Sequence, residues 1–169
     1  MVREHEWRRR YRDDGARSLP SYEEYLRFGR YSIGGPPHVW AALITTEDAS
    51  TPAHLAHLRP MEEMASTCIR LANDLQSATK EIAESKINAL VLLTQRAMGT
   101  TAAEANAYRL AEDHVRADID AGLDGLERFQ AMARTATGRP ESAIADIARF
   151  VCDFYTTHDY HTFTLAARS

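Results

Sequence analysis

Three oxygen-bearing side chains recur at every fourth position in the middle of the chain: Asn73, Ser77 and Glu81. On an α-helix that spacing puts them on one face in successive turns. An amide carbonyl, a hydroxyl and a carboxylate in one column form an oxygen-only donor set. With positions left for water and phosphate, such a set suits a hard cation such as magnesium. It suits zinc poorly, because no thiolate or imidazole joins it. Asn and Ser are indifferent helix formers that favour caps, so two of them inside an apolar-periodic helix invite a reason. Lys80, next to the last of the three, can reach a phosphate oxygen as a point charge. A polar stripe on an ordinary amphipathic helix has the same spacing, and spacing alone does not separate the two.

The column needs a helix to carry it, and the surrounding pattern supplies one. From near Pro60 the apolar residues Met61, Met64, Ala65, Cys68, Ile69, Leu71, Ala72 and Leu75 recur mostly at helical intervals and mark a buried face. Upstream, Pro20 and Ser21 with Glu23 and Glu24 read as a helix start, and that helix runs to about Tyr31. Gly34-Gly35-Pro36-Pro37 breaks it, and His38 to about Thr46 reads as a buried helix. Downstream, an apolar run covers Ile87 to Met98, and Thr101 to Glu104 matches a capping box opening a helix to about Thr135. After Gly138-Arg139-Pro140, Glu141 to Tyr155 gives a last helix. No alternating pattern of useful length appears, so the expected class is all-α.

The chain has 169 residues and a formal charge of −4, which permits one substantial core and argues against general nucleic-acid binding. Two cysteines, Cys68 and Cys152, give no disulfide framework and no zinc cluster. Charged residues soon after Met1 leave no apolar leader, and no stretch has the length of a membrane span, so a cytoplasmic location is expected. Met1 to Ser18 is basic and polar, with Trp7 and Tyr11 among Arg8, Arg9, Arg10 and Arg12. It reads as a solvated helix end or as a docking surface for another chain or a phosphate.

The longer string Arg70-Leu71-Ala72-Asn73-Asp74, continued by Ser77, Lys80 and Glu81, resembles the second metal motif of class I terpene synthases. Pro20-Ser21-Tyr22-Glu23-Glu24-Tyr25-Leu26, followed by Arg30 and Gly34, is similar to that family's diphosphate-sensing segment. After the basic segment over 1–18, the resemblance implies, over 19–169, the C-terminal half of the family's helical bundle. It makes Arg30 the diphosphate sensor, Ile33 the linker and Gly34 the effector, with Arg27 as the second candidate for sensor. It assigns Asn73, Ser77 and Glu81 to Mg2+, and Arg30, Lys80 and Tyr160 to the diphosphate. The implied reaction is ionisation and cyclisation of a prenyl diphosphate, farnesyl or geranylgeranyl diphosphate.

Two departures shape the expectation. The family's Asp-rich first motif is missing: Asp13-Asp14 is followed by Gly15-Ala16-Arg17, and Glu62-Glu63 and Glu112-Asp113 lie in the wrong places. Where the family usually carries an Arg-Tyr pair near the C-terminus, this chain reads Asp159-Tyr160. The first departure implies a split enzyme, in which a second polypeptide supplies the Asp-rich motif and the remaining helices. A shortened synthase explains the sequence equally well. The second departure mildly favours a rival, a non-catalytic partner that stabilises or regulates a complete synthase. Of the other clusters, His158 and His161 with Cys152 and Asp153 are weak zinc candidates, and His54 and His57 weaker still. Phe28, Trp40, Phe150, Phe154 and Tyr160 could face a carbocation, though at helical spacing such aromatics are more often core.

Overall fold

The periodic stretch around the column forms a single helix, α4 (Leu55–Ala83), about 43 Å long at 1.5 Å per residue. In the computed structural model, residues 2–84, 86–98 and 104–158 are described. Asp159, Tyr160, His161 and Thr101 lie outside the described residues. Around α4 stand α1 (Val2–Asp14), α2 (Tyr22–Ser32), α3 (Gly35–Thr45), α5 (Ala89–Met98), α6 (Glu104–Ala131) and α7 (Arg139–Thr157). Short 3₁₀ turns cover Gly15–Ser18 and Thr51–His54, and no strand occurs among the described residues. The chain is all-α, as its patterning implies.

Helix α4 packs against α2, α3, α5, α6 and α7, and so serves as the axis of the bundle. Its first half, through Leu58, Met61 and Ala65, joins Val39, Leu43, Leu126, Ile144 and Ala148 in one apolar cluster. Its second half, through Cys68, Ile69, Leu71, Ala72 and Ala78, joins Trp7, Tyr25, Leu90, Val115, Ile119 and Tyr155 in another. The helix begins earlier than the pattern near Pro60 suggests. Pro60 lies inside it and has no N–H to offer the Ala56 carbonyl. Leu58 and Met61, both fully buried, flank that position, and their burial offsets the missing bond.

The other ends follow local chemistry. Ser21 caps α2 by accepting from the Glu24 amide at 3.1 Å, with Glu23 and Glu24 in the first turn. The break after α2 is shorter than Gly34-Gly35-Pro36-Pro37. Only Ile33 and Gly34 separate the helices, because Gly35 and the prolines form the first turn of α3, where a missing N–H costs nothing. Helix α6 stops at Ala131 rather than about Thr135. There the Arg134 and Thr135 amides instead donate to the buried Glu141 carboxylate at 2.8 and 3.0 Å. That carboxylate sits in the first turn of α7. The basic segment is helical and docks through Trp7, buried against Tyr25 and Phe28.

Two adjacent glycines set how α2 turns into α3. Gly34 has φ of 75°, the left-handed region, and starts α3. Gly35 lies so close to α4 that an added Cβ would stand 2.7 Å from Ser66 Cβ. Gly34→Ala should therefore cost about 1–2 kcal/mol from the left-handed backbone. Gly35→Val should cost at least about 1–3 kcal/mol from overpacking. Urea midpoints of the two variants check this, and Gly35→Val at the wild-type midpoint would contradict the packing described here.

Candidate metal centre

On α4, Asn73, Ser77 and Glu81 are all half-buried and rise in successive turns, as the spacing requires. Ser77 Oγ donates to the Asn73 carbonyl at 2.8 Å, so its lone pairs stay open. Among the described residues the Asn73 side-chain amide has no hydrogen-bond partner. Glu81 Oε2 accepts from Asn88 Nδ2 at 2.9 Å, and Oε1 has no partner among the described residues. Lys80 is exposed beside it. Three accessible oxygens with one formal charge fit a hard divalent cation that draws its remaining ligands from water and phosphate. No three His, Cys, Asp or Glu side chains converge as a metal site among the described residues.

Asp74, next to Asn73, does something different. It is fully buried. Its Oδ2 accepts from the Tyr25 hydroxyl at 2.7 Å and from the Ala89 amide at 3.1 Å. Its Oδ1 lies 3.0 Å from Arg70 Nε. That nitrogen is aimed at the Tyr25 oxygen, 2.9 Å away, so Oδ1 has an ion pair but no aligned hydrogen bond. Arg70 reaches on to Ser32 Oγ at 3.0 Å and Glu4 at 3.5 Å. This knot joins α1, α2, α4 and the start of α5 beside the column. Asn88, also fully buried, extends it: Nδ2 donates to the Asp74 carbonyl at 2.9 Å as well as to Glu81, and Oδ1 accepts from the Leu90 amide at 2.8 Å.

The other expected residues are spread more widely. Gly34 stands at the α2–α3 break. Arg30 is paired with Glu63 at 3.0 Å and with the Tyr31 hydroxyl at 3.1 Å. Glu63 precedes Asn73 by ten residues on α4, about 15 Å along the axis. The structure therefore gathers Asn73, Ser77, Glu81 and Lys80, and holds Arg30 more than two turns away. Arg27 lines the same groove as Arg30, with Glu63, Thr67 and Asp118. Phe28 packs on Trp7 and Trp40 joins the α3 cluster, whereas Phe150 is exposed and Phe154 stacks on His158. His57 is buried between Glu141, at 3.4 Å, and the Phe129 ring. A groove of about 380 Å³ between α4, α6 and α7 is lined by Ala72, Leu75, Ile119, Leu123 and Tyr155 among others. At 100° per residue, Ala72, Leu75 and Gln76 sit about 100°, 160° and 60° around the helix from Asn73, so this groove flanks the column and does not contain it.

Burial pushes the Asp74 carboxyl up to about 6, while the Arg70 charge and the Tyr25 hydrogen bond pull it down and the Glu81 charge adds to the rise. A folded value above the ordinary 3.8 means the folded chain holds this proton more strongly than the unfolded one. Its contribution to stability therefore falls as pH rises from about 4 to about 6 and is level above that. Asp74→Asn should flatten this stretch of the urea-midpoint curve, and an unchanged slope would remove Asp74 as its source.

A family model described as terpene synthase family 2, C-terminal metal binding, matches residues 1–120. The matched span holds α1 to α5, the Arg30–Gly34 segment and the whole Asn73–Glu81 column. No curated protein matches the chain. No helix among the described residues is long and apolar enough to cross a membrane. With more than two-thirds of its 169 residues matched, the chain belongs to the terpene synthase family 2 C-terminal metal-binding family.

Proposed function

We propose that the chain works in class I terpene cyclisation, the magnesium-dependent ionisation and cyclisation of farnesyl or geranylgeranyl diphosphate. The observation that carries this reading is the column itself. Three oxygen donors stand on one face of α4, inside the span matched by a metal-binding terpene synthase family. Asn73, Ser77 and Glu81 would hold Mg2+, which when bound supplies the Lewis acidity that stabilises a departing diphosphate. Lys80, exposed beside Glu81, would place a positive charge on a diphosphate oxygen. Tyr160 would add a hydroxyl donor. Arg30 would join them after release from Glu63, with Gly34 as the adjustable joint.

A class I site needs more positive charge and more wall than this column commands. The leaving group carries about three negative charges, which preorganised cations must meet as they develop. None of the 169 residues forms an Asp-rich DDxxD motif, and the groove between α4, α6 and α7, as polar as it is apolar, includes none of the column's residues in its lining. On this reading a second polypeptide supplies the Asp-rich motif and the remaining cavity wall. In the assembled enzyme, Glu81→Ala should lower product formation at least about a hundredfold, several kcal/mol of charge stabilisation being lost. Co-elution of the two chains should not change. Full turnover by that variant would remove the metal assignment.

The Arg30–Glu63 pair favours a second reading, in which the chain is a non-catalytic partner that stabilises or regulates a complete synthase. A sensor already neutralised by a carboxylate is poorly prepared to meet a diphosphate. Deleting the chain separates the two. An essential half leaves its partner with no cyclisation, whereas a regulator leaves basal activity.

A further inference from the structure

We infer that Asn88 is a positioning residue for Glu81, fixing one carboxylate oxygen so that the other is presented to the cation. The inference rests on the proposed reading of the column as a metal centre. Asn88 lies at the entry to α5, and its backbone carbonyl accepts from the Leu92 amide at 3.1 Å. Its Oδ1 accepts from the Leu90 amide at 2.8 Å, an N-cap bond. Asp, Ser or Thr would make that bond equally well. Only an amide also brings two N–H groups, and both are used. Nδ2 donates to the Asp74 carbonyl and to Glu81 Oε2, each at 2.9 Å. Asn88 is fully buried, so neither donor can turn to water.

The consequence for Glu81 is conformational. A free glutamate gives up close to the largest side-chain rotamer entropy of any residue when it is fixed, up to about 2 kcal/mol. Here that cost is met on folding rather than on metal binding. The backbone agrees with this placement. The Lys86 amide donates to the Glu81 carbonyl at 2.8 Å and the Glu84 amide to the Lys80 carbonyl at 3.0 Å, which turns the chain back so that Asn88 lies beside Glu81. The Ala89 amide, bonded to Asp74 Oδ2 at 3.1 Å, pins the next residue. Asn88 thus ties the last donor of the column to the Arg70–Asp74–Tyr25 knot beside the first.

The test uses Mn2+ with inorganic diphosphate and the full chain, comparing the electron-paramagnetic spectrum of the Mn2+ with that of the same Mn2+–diphosphate mixture without protein. Asn88→Ser keeps the N-cap oxygen and removes both amide donors, and Asn88→Thr does the same without adding a charge if the serine variant fails to fold. Removing the partner that orients a metal ligand typically weakens metal binding about 10–100-fold. That loss is expected here, together with no further loss when Asn88→Ser is added to Glu81→Ala. A purely structural Asn88 would instead lower the urea midpoint, and its effect on binding would add to that of Glu81→Ala. If Glu81→Ala abolishes binding and Asn88→Ser binds as tightly as wild type, the positioning role is overturned and the metal centre stands. If wild type leaves the protein-free Mn2+–diphosphate spectrum unchanged, or Glu81→Ala binds as well as wild type, the metal reading falls and this inference with it.

Discussion

The arrangement depends on one buried ion pair, Arg70 with Asp74, at 3.0 Å on a single helix face. Two charges taken out of water are costly unless their remaining hydrogen-bonding capacity is met, and here each helix packed nearby meets part of it. Helix α2 brings the Tyr25 hydroxyl and Ser32 Oγ, α1 brings Glu4, and the first residue of α5 brings its amide. None of these helices can move away without stranding a charge in the core. The pair therefore acts as a locating pin: it adds little net stability and fixes where α1, α2 and α5 sit relative to α4.

That pin divides α4 into two working lengths. Before it, Leu58, Met61 and Ala65 fill the cluster with α3, α6 and α7, and Gly35 allows α3 to approach at Ser66. After it, one side of the helix stays in the core through Ala78, and the other carries the oxygen column. Arg70 lies about 60° around the helix from Asn73, one turn earlier. The face that would receive a cation is thus continuous with the face that buries the ion pair. Asn88 closes the circuit at the far end. Rigidity is supplied from beside the column, and its solvent side stays open, as the proposed site, taking ligands from a substrate, requires.

Much of this was legible in the sequence, because it rests on short-range rules. The capping serine at Ser21, the glycine break at Gly34 and the four-residue rhythm of Asn73, Ser77 and Glu81 are local signals, and the structure has all three features. The start of α4 was not legible, since Pro60 punctuates the pattern and only the tertiary burial of Leu58 and Met61 carries the helix through it. The end of α6 was set by Glu141, whose carboxylate is not adjacent in sequence to the amides it takes. Asp74 was the hardest residue. It falls outside the four-residue rhythm of the column, and its burial follows from Tyr25, forty-nine positions away. The engagement of Arg30 with Glu63 is long-range in the same way. Asn88 did leave a signal, an Asn before an apolar helical run, which is an N-cap pattern. Its second role depends on where the turn returns the chain.

On the proposed reading, the charge of the column also decides the order of events. Glu81 alone contributes a formal negative charge, and Asn73 and Ser77 contribute neutral oxygens. Asp74 adds none that a cation can reach, because its carboxylate is turned into the core. Exposed Lys80 works against a bare cation. Magnesium sheds its water reluctantly and is usually held by carboxylates together with substrate phosphates, so this column by itself is a weak site. A diphosphate reverses the balance: it supplies the missing anionic oxygens and turns Lys80 from a repulsive neighbour into a partner. Metal and diphosphate then strengthen each other's binding by the same factor, as linkage requires. The oxygen column and its adjacent lysine are thus built to recognise a metal–diphosphate complex rather than either component alone.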